Sequence, residues 1–293
     1  MGRSNTLVIN QHVTKDCNYR CKFCFPDREK NVNLPNVFKN PQLRDKLLSE
    51  YSKLDVISSA IGENISDIRI NLIGGEPLLL GKKCTAIAKQ IKEMGFTVSL
   101  TTNGLLLQEQ SEILKYLDII HISIDSLEET VCKAMGRCAG NQFVSKERLY
   151  SLVKKIREIN PKVLLRFNVV VSRFNCDDST IISQLQKFKP NKIKIVQQLS
   201  DTKDEGISEH KFKRFIKIND DACKQTNVAV MNNSDLVQSC LMVGEDGRIF
   251  QNGSTNSNDG YHYSEPIVEA GFKKAFSQVP FSIKKWKQRY QIE

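Results

Sequence analysis

Three cysteines in the segment TKDCNYRCKFCF have the spacing in this chain that most directly implies chemistry. Cys17, Cys21 and Cys24 stand with three and then two residues between them. Three thiolates in so short a loop can curl around one polynuclear centre, and such soft ligands suit zinc or iron–sulfur. A structural zinc site takes a fourth Cys or His. None follows closely, since His12 precedes the loop and the next histidine is His121. An open fourth position, left for a substrate, is the economical reading. The nine cysteines are an odd number and are otherwise scattered. They do not form the disulfide framework of a small secreted domain, so the thiols are expected to be reduced.

The elements that must carry this loop follow from periodicity. Short apolar runs alternate with segments of helical spacing: TLVINQHV, a helix over 42–61, DIRINLIG, a helix over 83–94, then FTVSLTTN and DIIHISID. KVLLRFNVVV and KIKIVQQL continue the strands, with helices expected over 108–116, 146–159 and 179–188. Apolar runs linked by helices indicate a parallel sheet of βαβ units, an α/β fold with six strands before Leu199. The cysteine loop directly follows the first strand, where a site at strand C-termini belongs. Gly74-Gly75-Glu76-Pro77 ends the second, and glycines there let the backbone approach a ligand closely. Thr102-Asn103-Gly104 and Ser123-Ile124-Asp125 end the next two strands.

After Asp201 the alternation weakens. One charged helix over 208–224 leads into VAVMNNSD and then SCLMVGEDGRIFQN, in which Glu245-Asp246-Gly247 reads as a hairpin turn. The Ser-, Asn- and Gly-rich stretch 252–259 is expected to be a surface loop. The expected organisation is a body over 1–200 and a C-terminal extension over 201–293.

The Cys-x3-Cys-x2-Cys loop and the Gly-Gly-Glu-Pro turn together resemble the radical S-adenosylmethionine superfamily. That resemblance implies a partial (β/α)6 barrel and a 4Fe–4S cluster held by Cys17, Cys21 and Cys24. It implies S-adenosylmethionine at the fourth iron, with Gly74, Gly75, Glu76 and Pro77 at its methionine end and Asn103, Ser123, Asp125 and Asn168 as further contacts. Within the superfamily the segments NQHVTKDCNYRCKFCF, RINLIGGEP, TTNG, ISIDS, MGR, RFNVVVSRFN and PNKIKIVQQL resemble viperin-like enzymes. These are implied to take the 4′ hydrogen of a ribonucleoside triphosphate and lose its 3′-hydroxyl, giving a 3′-deoxy-3′,4′-didehydro chain terminator in antiviral defence. CTP or UTP is the favoured substrate.

A triphosphate needs converging Arg and Lys. Arg69, Arg166 and Lys194 alternate with apolar neighbours inside strands, Arg173 follows one, and Arg137 lies in a loop. Asn71 and Asn168 share the faces of Arg69 and Arg166. The resemblance puts the base pocket near 230–236, around Asn233. It aligns Cys240 with a tyrosine, making Cys240 the candidate donor of the last proton or hydrogen. The lysine pair that follows the Gly-Arg element in animal viperins has no counterpart in MGRCAGNQF. An electron donor such as flavodoxin or ferredoxin is the expected protein partner.

The 293 residues are 40% hydrophobic, enough for a full core, and carry a formal charge of +10 spread along the chain. No run approaches the roughly 18 apolar residues of a membrane span, so a soluble cytoplasmic protein without a membrane partner is expected. A radical enzyme acting on a peptide or RNA is the alternative. A noncatalytic iron–sulfur nucleic-acid binder is another, but no aromatic-rich basic strand pair or helix-turn-helix supports it, and stable nucleic-acid binding is not expected.

Overall fold

The computed structural model describes residues 5–24, 35–199, 206–252 and 260–291. The expected division at residue 200 and nearly all of the loop 252–259 lie outside them. The chain forms two compact units, 1–16, 27–99 and 235–293 in the first and 17–26 and 100–234 in the second. These do not follow a cut at residue 200.

The first unit carries β1 (Thr6–His12), β2 (Asp67–Ile73) and the start of β3 (Thr97–Thr102). β1 and β2 are parallel, with Asn10 opposite Asn71 and His12 opposite Ile73. Leu7, Ile9, Ile68, Ile70 and Leu72 are buried. On the same face as Leu7 and Ile9, Gln11 accepts a 2.7 Å hydrogen bond from the Tyr51 hydroxyl of helix α1 (Pro41–Tyr51). The single helix expected over 42–61 is two. Asn40 caps α1 by accepting from the Leu43 N–H at 3.2 Å, with Pro41 in the first turn. The chain breaks at Ser52, whose hydroxyl bonds back to the Leu48 carbonyl, and α2 (Leu54–Ile61) ends on the left-handed Gly62. Helix α3 (Lys82–Glu93) links β2 to β3.

The second unit carries three parallel pairings among β4 (Ile119–Ser123), β5 (Leu164–Val171), β6 (Lys192–Gln197) and β7 (Val228–Met231). Helix α4 (Glu129–Met135) ends on left-handed Gly136. Helix α5 (Lys146–Ile159) matches its sequence expectation: Ser145 caps it, and Leu149, Leu152, Val153 and Ile156 form its buried stripe. The segment expected as a helix over 108–116 is a 3-10 turn, Ser111–Tyr116.

The region after residue 200 is less of an appendage than its weak periodicity suggests. β7 extends the parallel pairing beyond β6. β8 (Leu241–Val243) pairs parallel with β1, and β9 (Arg248–Asn252) returns antiparallel to β8 through the expected turn. β10 (Tyr261–Pro266) pairs with β9. Strands of three and four residues are too short to show an alternation in sequence.

Candidate functional site

The cysteine loop is shaped by backbone contacts on both sides. In the second unit, the Arg20 and Lys22 N–H groups donate to the Gly136 and Met135 carbonyls at 3.1 and 3.0 Å. Gly136 has φ +74°, and a Cβ there would sit 2.2 Å from the Arg20 carbonyl oxygen, so glycine is required twice over. In the first unit, the Gly75 and Glu76 N–H groups donate to the Thr14 and Asp16 carbonyls at 2.8 and 2.7 Å. A Cβ on Gly75 would lie 1.9 Å from the Asp16 oxygen. The glycines of the Gly-Gly turn are thus demanded by the chain entering the loop, independently of any ligand. Glu76 is buried and accepts from the Leu78 N–H, capping the 3-10 turn that Pro77 begins.

Cys17 Sγ accepts the Tyr19 N–H at 3.4 Å, and Cys21 Sγ accepts from the Arg137 guanidinium at 3.7 Å. The Cys24 N–H donates to the Cys21 carbonyl at 3.2 Å, turning the loop. Among the described residues no three Cys, His, Asp or Glu side chains converge on a single ion. A polynuclear cluster does not ask for that, because each thiolate binds a different iron. Three thiols in one turned loop, two of them accepting hydrogen bonds, fit the donor set of an iron–sulfur cluster.

Arg137, expected as a substrate contact, is engaged with this loop. Its guanidinium pairs with Asp125 at 2.8 Å, donates to the Ser123 carbonyl, and lies 5.3 Å from the Tyr19 ring centroid. Burial opposes its charge, yet Asp125 and Cys21 hold it firmly protonated, above the ordinary arginine range. Burial pushes Asp125 up, against Arg137 and the Val170 N–H that donates to it at 2.6 Å. Burial likewise raises the Cys21 thiol, with Arg137 working in the opposite direction. Asn103 also serves the loop, donating to the Asn18 side chain at 2.7 Å while accepting from the Leu105 N–H.

Each unit turns one polar sheet face away from its apolar one. In the second unit, Ile120, Ile122, Leu165, Phe167, Ile193 and Ile195 are buried on one face. The other carries two rows in register: His121, Arg166 and Lys192, then Ser123, Asn168 and Lys194. The side-chain carbonyl oxygen of Asn168 is buried without a hydrogen-bond partner among the described residues, as is that of Asn233 just after β7. The Asn233 backbone N–H donates to Gln197. Arg173 is exposed and packs its guanidinium 4.8 Å from the Phe174 ring centroid.

In the first unit the corresponding row is knitted together: Asn71 donates to Asn10 at 2.9 Å and accepts from Ser99 at 3.1 Å. Arg69 is buried, 5.9 Å from the Tyr290 ring centroid. Cys240 is buried one residue before the Leu241–Ile9 pair, beside the middle of β1 and not at its C-terminal end. Sequence reasoning missed Lys192 and His121. The alternation of KIKIV and IIHIS held the signal, but only the register sets them beside Arg166.

These features define an α/β enzyme that works with an iron–sulfur cluster at the ends of parallel strands. The Radical SAM superfamily matches residues 12–174, and the chain belongs to that superfamily. Its cofactors are accordingly a 4Fe–4S cluster and S-adenosylmethionine. An S-adenosylmethionine-dependent nucleotide dehydratase of Psychrobacter lutiphocae is 32% identical over 97% of this chain and 95% of its own length. Another, from Fibrobacter sp., is 29% identical over 98% of this chain and 88% of its own. The solved structure of native anSMEcpe with bound AdoMet and Cp18Cys peptide matches with a TM-score of 0.64, at 13% identity, covering 97% of this chain and 81% of that one. At that identity the likeness concerns the fold.

Proposed function

We propose that this chain is a nucleotide dehydratase that converts a ribonucleoside triphosphate, CTP or UTP, to its 3′-deoxy-3′,4′-didehydro analogue. The product would terminate polymerase chains in antiviral defence. Cys17, Cys21 and Cys24 hold the cluster, and Gly74–Pro77 receive the methionine end of S-adenosylmethionine. When bound, these two cofactors supply the radical that takes the 4′ hydrogen. Arg137, through its contact with Cys21 Sγ and its anchor on Asp125, fixes the orientation of one cluster ligand. Arg166, Lys192 and Lys194 gather the phosphates, and Asn168, one register step from Arg166, offers its amide to the ribose. Asn233 faces the base, through which the extension 201–293 contributes to nucleotide recognition. Cys240 donates the last proton or hydrogen. A low-potential carrier such as flavodoxin or ferredoxin supplies electrons in the cytoplasm. No helix among the described residues is long and apolar enough to cross a membrane.

The observation that carries this reading is the cationic pair of rows, in register on one sheet face. It stands on a chain similar over nearly its whole length to two nucleotide dehydratases. The test is an anaerobic incubation of the reconstituted enzyme with S-adenosylmethionine, a reductant and each of the four ribonucleoside triphosphates. One pyrimidine nucleotide is expected to raise 5′-deoxyadenosine well above the nucleotide-free background and to yield a product lighter by one water. Background-level 5′-deoxyadenosine with all four would overturn the proposal.

A further inference from the structure

The cysteine loop carries a buried amide that is only half satisfied. Asn18 stands immediately after Cys17. Its side-chain oxygen, 3.9 Å from Cys17 Sγ, accepts a 2.7 Å hydrogen bond from Asn103 Nδ2. Which way round the Asn18 amide lies follows from the next link. The Leu105 N–H donates to Asn103 Oδ1 at 2.9 Å, and a backbone N–H can only donate, so Asn103 must turn its own nitrogen to Asn18. Asn18 is thereby obliged to present its oxygen to Asn103 and its nitrogen elsewhere. That nitrogen, Nδ2, is buried and has no hydrogen-bond partner among the described residues. A buried donor costs the free energy of taking it out of water unless an acceptor meets it. Donors already gather round the neighbouring thiols: Cys17 Sγ takes the Tyr19 N–H and Cys21 Sγ takes Arg137.

We infer that Asn18 Nδ2 donates a hydrogen bond to a sulfur of the 4Fe–4S cluster, aimed there by Asn103, and so sets how readily the cluster is reduced. The inference rests on the assignment of the cluster to Cys17, Cys21 and Cys24. Asn18 lies between the first two of these thiols in sequence, and Asn103 fixes its amide before any cluster is present, so the donor needs no reorganisation to act. Reduction adds one negative charge to the cluster. A donor to sulfur holds the reduced form more strongly than the oxidised one and therefore raises the reduction potential. Asn103, which acts through Asn18, is a positioning residue. The carboxylate of S-adenosylmethionine is the poorer acceptor, because it belongs at the iron that no thiolate holds, whereas this amide stands beside Cys17.

The experiment reads the cluster itself, without nucleotide or turnover. Reconstituted wild type, Asn18→Leu and Asn18→Asp are titrated anaerobically with dithionite and redox mediators, and the reduced cluster is followed by its electron paramagnetic resonance. Iron content is measured for each. Asn18→Leu, close to isosteric, should lower the one-electron reduction constant about tenfold, which is about 59 mV toward more negative potential. Asn18→Asp keeps an acceptor for Asn103 but has no donor, and should lower it at least as far. Wild type grown on asparagine labelled with ¹⁵N in the side-chain amide should show a nitrogen weakly coupled to the reduced cluster in pulsed resonance spectra. That measurement needs no variant, so the test stays decisive if both substitutions lose iron. A wild-type potential in Asn18→Leu would overturn the inference, as would the absence of that coupling in wild type. Weakened S-adenosylmethionine binding in Asn18→Leu, with the potential unmoved, would give the donor to the cofactor and overturn it too. An absence of iron in wild type would instead sink the cluster assignment.

Discussion

The two units use the same local device and put it to different ends. Each holds part of the cysteine loop through a glycine whose missing side chain admits another backbone: Gly75 against Asp16 in the first, Gly136 against Arg20 in the second. Each also turns a polar row to one sheet face. In the first unit that row is closed by its own hydrogen bonds, Asn71 to Asn10 and Ser99 to Asn71. In the second it carries Arg166, Lys192 and Lys194 together with an amide oxygen on Asn168 that has no hydrogen-bond partner among the described residues. A polar row that satisfies itself adds rigidity, whereas a row of cations beside an orphaned amide oxygen offers charge to an anion and an acceptor to a hydroxyl. A Ser or Asn row and a Lys or Arg row look equally polar in sequence. Their partners tell them apart.

The contrast can be broken most directly at the thiols. Cys17→Ala, Cys21→Ala and Cys24→Ala should each abolish the cluster, whereas Cys84→Ala, in the first unit, should leave iron content unchanged. Retention of about four irons per chain in any of the three would sink the ligand assignment. The glycines come next. Gly75→Ala and Gly136→Ala should each destabilise by more than about 3 kcal/mol, because backbone must move to admit the new methyl. Urea midpoints read this directly. A loss below 1 kcal/mol at either position would mean that the chain there is not held as described.

His12 sharpens the comparison through pH. It is buried beside Phe250, and burial lowers its pKa from 6.5 to about 4, with Asp246 opposing. The unfolded imidazole binds a proton below pH 6.5 while the folded one stays neutral down to about 4. Stability should therefore rise from pH 4 to 6.5, by about 3 kcal/mol in all, and gain nothing further from this group above that range. The slope should largely vanish in His12→Gln. A wild-type slope in that variant would assign the effect elsewhere.

The smallest effects discriminate most finely. Arg166→Ala should weaken nucleoside triphosphate binding about ten- to a hundredfold, the equivalent of a charge-assisted hydrogen bond, with the melting temperature little changed. Asn71→Ala should do the reverse, costing about 1–2 kcal/mol of stability with nucleotide affinity unmoved. An isothermal titration and a thermal melt on both variants suffice. If Asn71→Ala weakens the nucleotide as much as Arg166→Ala does, the closed row of the first unit is not merely structural.

The sequence by itself determined the six strands before residue 199, the helix over 146–159, and the loop that bears the three cysteines. All of these are local: an alternation of two, a stripe of three to four, a spacing within eight residues. It also carried the superfamily motifs. Tertiary structure alone decided what pairs with what. That β8 joins β1, some 230 residues away, is a matter of register that three apolar residues cannot announce. That Arg137 serves Cys21 and Asp125 follows from the return of the chain after α4 to the cluster loop. That Gly75 yields to the Asp16 backbone, and that Lys192 stands beside Arg166, follow from contacts between segments far apart in sequence. Such contacts arise only when packing brings the strands together, and the energy that selects them lies in burial and hydrogen bonding across the sheet, not in the propensity of any one segment.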